Sequence, residues 1–94
     1  MDLSAFKKTI SGEEVPSSLS VYLQALWFDA GGNWEKAHHL IQDLEDQKAA
    51  WIHAYLHRKE GDTWNADYWY RRAGRTRPSV SLEHEWEDLV SAFL

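Results

Sequence analysis

Residues 54–78 read AYLHRKEGDTWNADYWYRRAGRTRP, and the spacing of small and aromatic residues in this stretch decides the fold. Ala54, Gly61, Ala66, Tyr70, Ala73 and Pro78 stand seven, five, four, three and five residues apart. The first four intervals recur 29 residues earlier in Ala25, Gly32, Ala37, Ile41 and Leu44. Self-similarity at a fixed offset marks stacked supersecondary units. Each unit reads as helix, glycine turn, helix. Two antiparallel helices approach closely only where small side chains face each other, which pairs Ala54 with Ala66 and Ala25 with Ala37. Ile41 and Tyr70 then fill the groove toward the next helix, so each pair leaves an apolar face that a neighbour must cover.

Outward from this stretch, every segment reads as helix. Pro16 and the serines after it punctuate a helix start, and Leu19, Tyr22, Leu23, Leu26, Trp27 and Ala30 follow at the spacing of one helical face. Gly31 and Gly32 end that helix, and Asn33 caps the next, which carries Trp34, Ala37, His38, Ile41 and Leu44. A third helix over about 47–60 is apolar around most of its circumference and is therefore expected to be central. Asp62 or Thr63 caps a fourth, with Ala66, Trp69, Tyr70 and Ala73 as its packing face. Ser79 or Ser81 caps a last helix with the apolar set Leu82, Trp86, Leu89, Val90 and Phe93, while Glu83, Glu85, Glu87 and Asp88 read as its solvated face. Leu3, Phe6 and Ile10 allow a short N-terminal helix that needs docking to persist. No alternating β-branched run suggests a strand.

The pattern resembles the tetratricopeptide repeat over Leu19 to Pro78, and the run from Trp51 to Arg75 is also similar to that of small bacterial proteins. The offset of 29 is shorter than the family's repeat of about 34. His53 and His57 occupy usually apolar positions, Gln24 replaces a leucine, and the first unit lacks the closing proline. The expected architecture is all-α, a single helical domain over residues 1–94 with five to six helices. It divides into an N-terminal segment (1–16), a first helical hairpin (19–46), a second (47–78) and a C-terminal capping helix (79–94). Two units are fewer than an independent array needs, so the last helix is expected to cover the second pair's open face. A homodimer would serve the same end, and self-association is expected.

Composition bounds the function. Six Trp, four Tyr and three Phe imply a well-filled core or an aromatic interaction surface, since each ring can bury about 150–250 Å². Without cysteine, disulfides, thiolate metal sites and a cysteine nucleophile are excluded, and a reducing compartment, the cytoplasm, is the expected setting. No apolar run reaches signal-peptide or membrane-span length, so a soluble, unprocessed chain without a membrane partner is expected. A net charge of -5 argues against sequence-independent nucleic-acid binding. The charge is uneven: Arg58 to Arg77 holds six basic and three acidic residues, the rest four basic and twelve acidic.

The resemblance implies a non-catalytic module in which the first helix of each pair lines a concave groove for an extended peptide. Carried over by position, that lining is Tyr22, Leu26, Asp29, Trp51, Tyr55, Arg58 and Lys59. Arg58 and Lys59 beside two rings suit a peptide or protein partner bearing a carboxylate; the competing reading packs Trp51 and Tyr55 in the core. Arg71, Arg72 and Arg75 interleave with Tyr68, Trp69 and Tyr70 as a candidate anion site, unless these arginines pair with the acidic last helix or a second subunit. His53 and His57 share a helical face at zinc-ligand spacing, but no third ligand is fixed in sequence, although His38 or His39 could approach them. With no triad or phosphate-cradling loop, no catalytic residue, cofactor or metal ligand is assigned. The alternative is a small enzyme, or an anion- or metal-binding protein, built on His53, His57, Tyr55 and Arg58.

Overall fold

A computed structural model describes residues 1–94. It contains six helices: α1 (Leu3–Thr9), α2 (Val21–Ala30), α3 (Trp34–Ile41), α4 (Gln47–Glu60), α5 (Thr63–Arg72) and α6 (Leu82–Phe93). Each begins at a polar residue whose side chain accepts from a backbone N–H in the first turn: Asp2, Ser20, Asn33, Asp46, Asp62 and Ser81. Such caps satisfy amides that have no partner within the helix.

The two glycine turns are built alike. Gly32 and Gly61 both have positive φ, 84° and 88°, where a Cβ would be strained. The following residue donates five positions back in each case, Asn33 to Phe28 O at 2.8 Å and Asp62 to His57 O at 2.9 Å. The internal repeat is thus visible in backbone hydrogen bonds as well as in side chains. Helices α2 and α3 pack closely as one hairpin, α4 and α5 as the other, and α3 rests against α4. Ala25, Ala37, Ala54 and Ala66 are fully buried, as a close approach of helices requires.

Helix α6 differs from expectation in where it packs. It lies against both α2 and α4 rather than closing only the outer side of the second hairpin. Its apolar stripe explains this: Phe93 meets the rings of Tyr22 and Trp51, each 5.7 Å away, and the Trp86 indole N–H donates to Leu26 O at 3.0 Å. Helix α1 packs on α6, with Phe6 fully buried 5.9 Å from the Trp86 ring. Trp27 donates back to Thr9 Oγ1, and Lys7 pairs with Glu87. Docking therefore stabilises a seven-residue helix that would be marginal alone. The radius of gyration, 12.4 Å, is that of one compact unit of this length, about 12 Å. No helix is long and apolar enough to cross a membrane.

Candidate functional site

The groove expected from the resemblance is not open. Leu26, Asp29, Trp51 and Tyr55 are all buried, because α6 occupies the face that α2 and α4 would offer a peptide. Tyr22 is half-buried and donates to Asp46 at 2.9 Å. The carboxylates are supplied from within. Glu85 of α6, 1% exposed, accepts from Arg58 at 2.8 Å, from the Tyr70 hydroxyl at 2.7 Å and from the Trp51 indole at 3.2 Å. Arg58 also donates to Val80 O. Asp29 accepts from Lys59 and from the Tyr55 hydroxyl, both at 2.9 Å. Burial, with the Asp29 carboxylate next, pushes the Tyr55 hydroxyl far above its usual range, and burial with the Glu85 hydrogen bond does the same for Tyr70. Both phenols remain donors, and no buried side-chain polar atom lacks a partner. Arg58 and Lys59 are thus internal clamps, and Glu85 is part of the core rather than of a solvated face.

Helix α6 thus screens apolar surface of α2 and α4 within the chain. What remains of the groove is a shallow concavity of ≈ 320 Å³ bordered by Asp29, Lys59, Leu82 and Trp86.

The arginines after Tyr68 do not pair with α6. Arg72 lies 5.0 Å over the Trp69 ring and donates to the Tyr68 hydroxyl at 3.1 Å. Arg75 stacks 3.4 Å from the Trp51 ring centre, and Arg77 pairs with Asp67 at 2.8 Å. Arg71 is exposed and makes no ion pair; with Arg75 and Arg77 it borders a shallow concavity of ≈ 350 Å³. One turn along α5 from Tyr68 lies Trp64, 76% exposed, which the sequence-based packing face did not include. Its signal was the four-residue spacing of Trp64, Tyr68 and Arg72, a stripe distinct from the buried Ala66, Tyr70 and Ala73.

Stacking the hairpins also gathers three histidines. His38 of α3 and His53 of α4 touch through Nε2 atoms 3.0 Å apart, and His57 stacks 4.8 Å from His53. Trp34 stacks on His38 at 4.9 Å and Trp69 on His53 at 4.0 Å, while Glu60 lies 2.6 Å from His57 Nδ1. His39 remains exposed and outside the group. The cluster is not joined by Tyr55 or Arg58, whose polar groups are committed to Asp29 and Glu85; residues two apart on a helix do not share a face.

Burial first, then the neighbouring His38 and His57, holds the His53 pKa down to about 3 from an ordinary 6.5. Burial, then His57, lowers His38 as well. In the unfolded chain these groups protonate near pH 6.5, so their stabilising effect is complete above that pH and is lost on acidification, levelling off for His53 near pH 3. Urea unfolding of chelator-treated protein should lose about 1 kcal/mol on going from pH 6 to pH 5. His53→Phe should flatten that slope; an identical slope in the variant would contradict the assignment.

No family model, no curated protein and no solved structure matches this chain.

Proposed function

We propose that this protein is a non-catalytic interaction module that captures an acidic segment of a partner protein on the exposed face of α5. The observation that carries the reading is Trp64, a tryptophan left 76% exposed in a chain whose other five tryptophans are all buried or half-buried. Tyr68 follows one turn later, Arg72 one turn beyond that lies over the Tyr68 and Trp69 rings, and Arg71 and Arg75 border a concavity at the C-terminal end of α5. Trp, Tyr and Arg are the residues that dominate binding energy at protein interfaces. Arg71, Arg72 and Arg75 make no ion pair within the chain, and their positive charge selects a partner bearing carboxylates. The filled groove supports this surface over the concave one, because a peptide entering between α2 and α4 would first have to displace α6.

A labelled peptide rich in Glu and Asp with one or two aromatic residues is the probe, titrated at low and moderate salt with tryptophan fluorescence and anisotropy. Binding should weaken as salt rises. Trp64→Ala should weaken it about 30-fold, the scale of a hot spot near 2 kcal/mol, without a change in melting temperature. Arg71→Glu with Arg72→Glu should abolish it. Absence of salt-sensitive binding, or unchanged affinity in the Trp64→Ala variant, would overturn the reading. So would tighter binding of a single-stranded oligonucleotide than of the acidic peptide.

A further inference from the structure

We propose that His38, His53 and His57 form a binding site for one divalent transition-metal ion of the zinc class, fastening the first hairpin to the second. One ligand nitrogen from each ring lies within 4.8 Å of the other two, and the His38 and His53 Nε2 atoms are 3.0 Å apart. An ion bound tetrahedrally at about 2.0–2.1 Å from each nitrogen needs its ligands about 3.4 Å apart, so the His38–His53 contact must open slightly and any wider pair close by up to about 1.4 Å.

The supporting contacts are those a metal site needs. Glu60 lies 2.6 Å from His57 Nδ1, and a carboxylate there holds the proton on that nitrogen and leaves Nε2 with its lone pair free. Trp34 and Trp69 stack on His38 and His53 and fix the planes of both rings. His53 is 5% exposed and the His57 side chain 12%, so burial limits the competing hydration of both. The imidazoles crowd together in a position where one proton on each would repel the others, and burial already keeps His53 and His38 neutral. Neutral imidazole is the form that binds a metal. Three nitrogen ligands leave a fourth position of a tetrahedral ion open to water or to a partner's side chain. Imidazole donors suit zinc, nickel and copper, and are poor ligands for calcium or magnesium.

The site shares no residue with the partner-binding face of α5, although Trp69 touches both, and absence of metal binding would leave that reading untouched. The test uses the full chain stripped of metal with a chelator, then titrated with zinc chloride by calorimetry at pH 7.5. One equivalent should bind, and the melting temperature should rise with zinc concentration as expected for a ligand that prefers the folded state. His38→Gln and His57→Gln should each weaken binding about 100-fold, and Glu60→Gln about tenfold. The surface control, His39→Gln with His84→Gln, should leave affinity unchanged. Cobalt substitution should give the intense visible absorption of a four-coordinate ion. Metal-free melting of each variant separates a lost ligand from a lost fold. Binding that survives both His38→Gln and His57→Gln, binding lost in the surface control, a weak six-coordinate cobalt spectrum or no heat of binding would overturn the proposal.

Discussion

Glu85→Ala is expected to destabilise the protein by about 3–5 kcal/mol, the usual cost of removing one member of a buried ion pair. A domain of this size has only about 5–15 kcal/mol in total. The cost arises because three donors converge on this one carboxylate: the Arg58 guanidinium, the Tyr70 hydroxyl and the Trp51 indole. Once it is gone, Arg58, whose side chain is 18% exposed, keeps its charge but has only Val80 O as a partner. Glu85→Gln preserves shape and one acceptor oxygen, and should cost less than half as much. Replacing both ends, Arg58→Met with Glu85→Leu, should recover part of the loss because no unpaired charge remains. Urea unfolding at pH 7 measures each value. A loss for Glu85→Ala below about 1 kcal/mol, the worth of an exposed ion pair, would show that α6 does not bury this group.

Trp86→Ala is expected to cost a further large increment, about 3–5 kcal/mol, as a cavity-forming change at a fully packed ring. Trp86 is 7% exposed, bonds the backbone of α2 and supports Phe6 of α1. Because α1 docks through α6, the variant should also release the N-terminal helix. Limited trypsin digestion should then cut at Lys7 and Lys8 well before the rest of the chain, whereas the parent should resist there. The contrast with Trp64 is sharp: the exposed ring should be replaceable by alanine within about 0.5 kcal/mol. Equal effects from the two substitutions would contradict the placement of both.

The hairpins were legible in the sequence because their signals are local. Glycine at 32 and 61 serves a positive φ, alanine at 25, 37, 54 and 66 serves close helix approach, and Asn33, Asp62 and Ser81 cap helices through short-range hydrogen bonds. The position of α6 was not legible, since an apolar stripe shows that a helix packs but not on which neighbour. Glu85 was hidden for a related reason. It stands among Glu83, Glu87 and Asp88, yet it lies one turn before Leu89 on the buried stripe, where a carboxylate needs long-range partners to be tolerated. His53 and His57 announced a shared face by their four-residue spacing, but their third companion, His38, arrives only when α3 packs on α4. The groove assignment failed on the same long-range step. Its residues sit where the repeat pattern puts them, and the chain's own last helix covers them.

The most direct test of this arrangement is an NMR experiment on the indole N–H and ring protons of Trp86. Covering of α2 and α4 by α6 predicts nuclear Overhauser contacts from Trp86 to Leu26 and Phe6, together with slow exchange of its indole proton with water. Trp86 contacts confined to α6, with an indole proton exchanging as fast as that of Trp64, would contradict it.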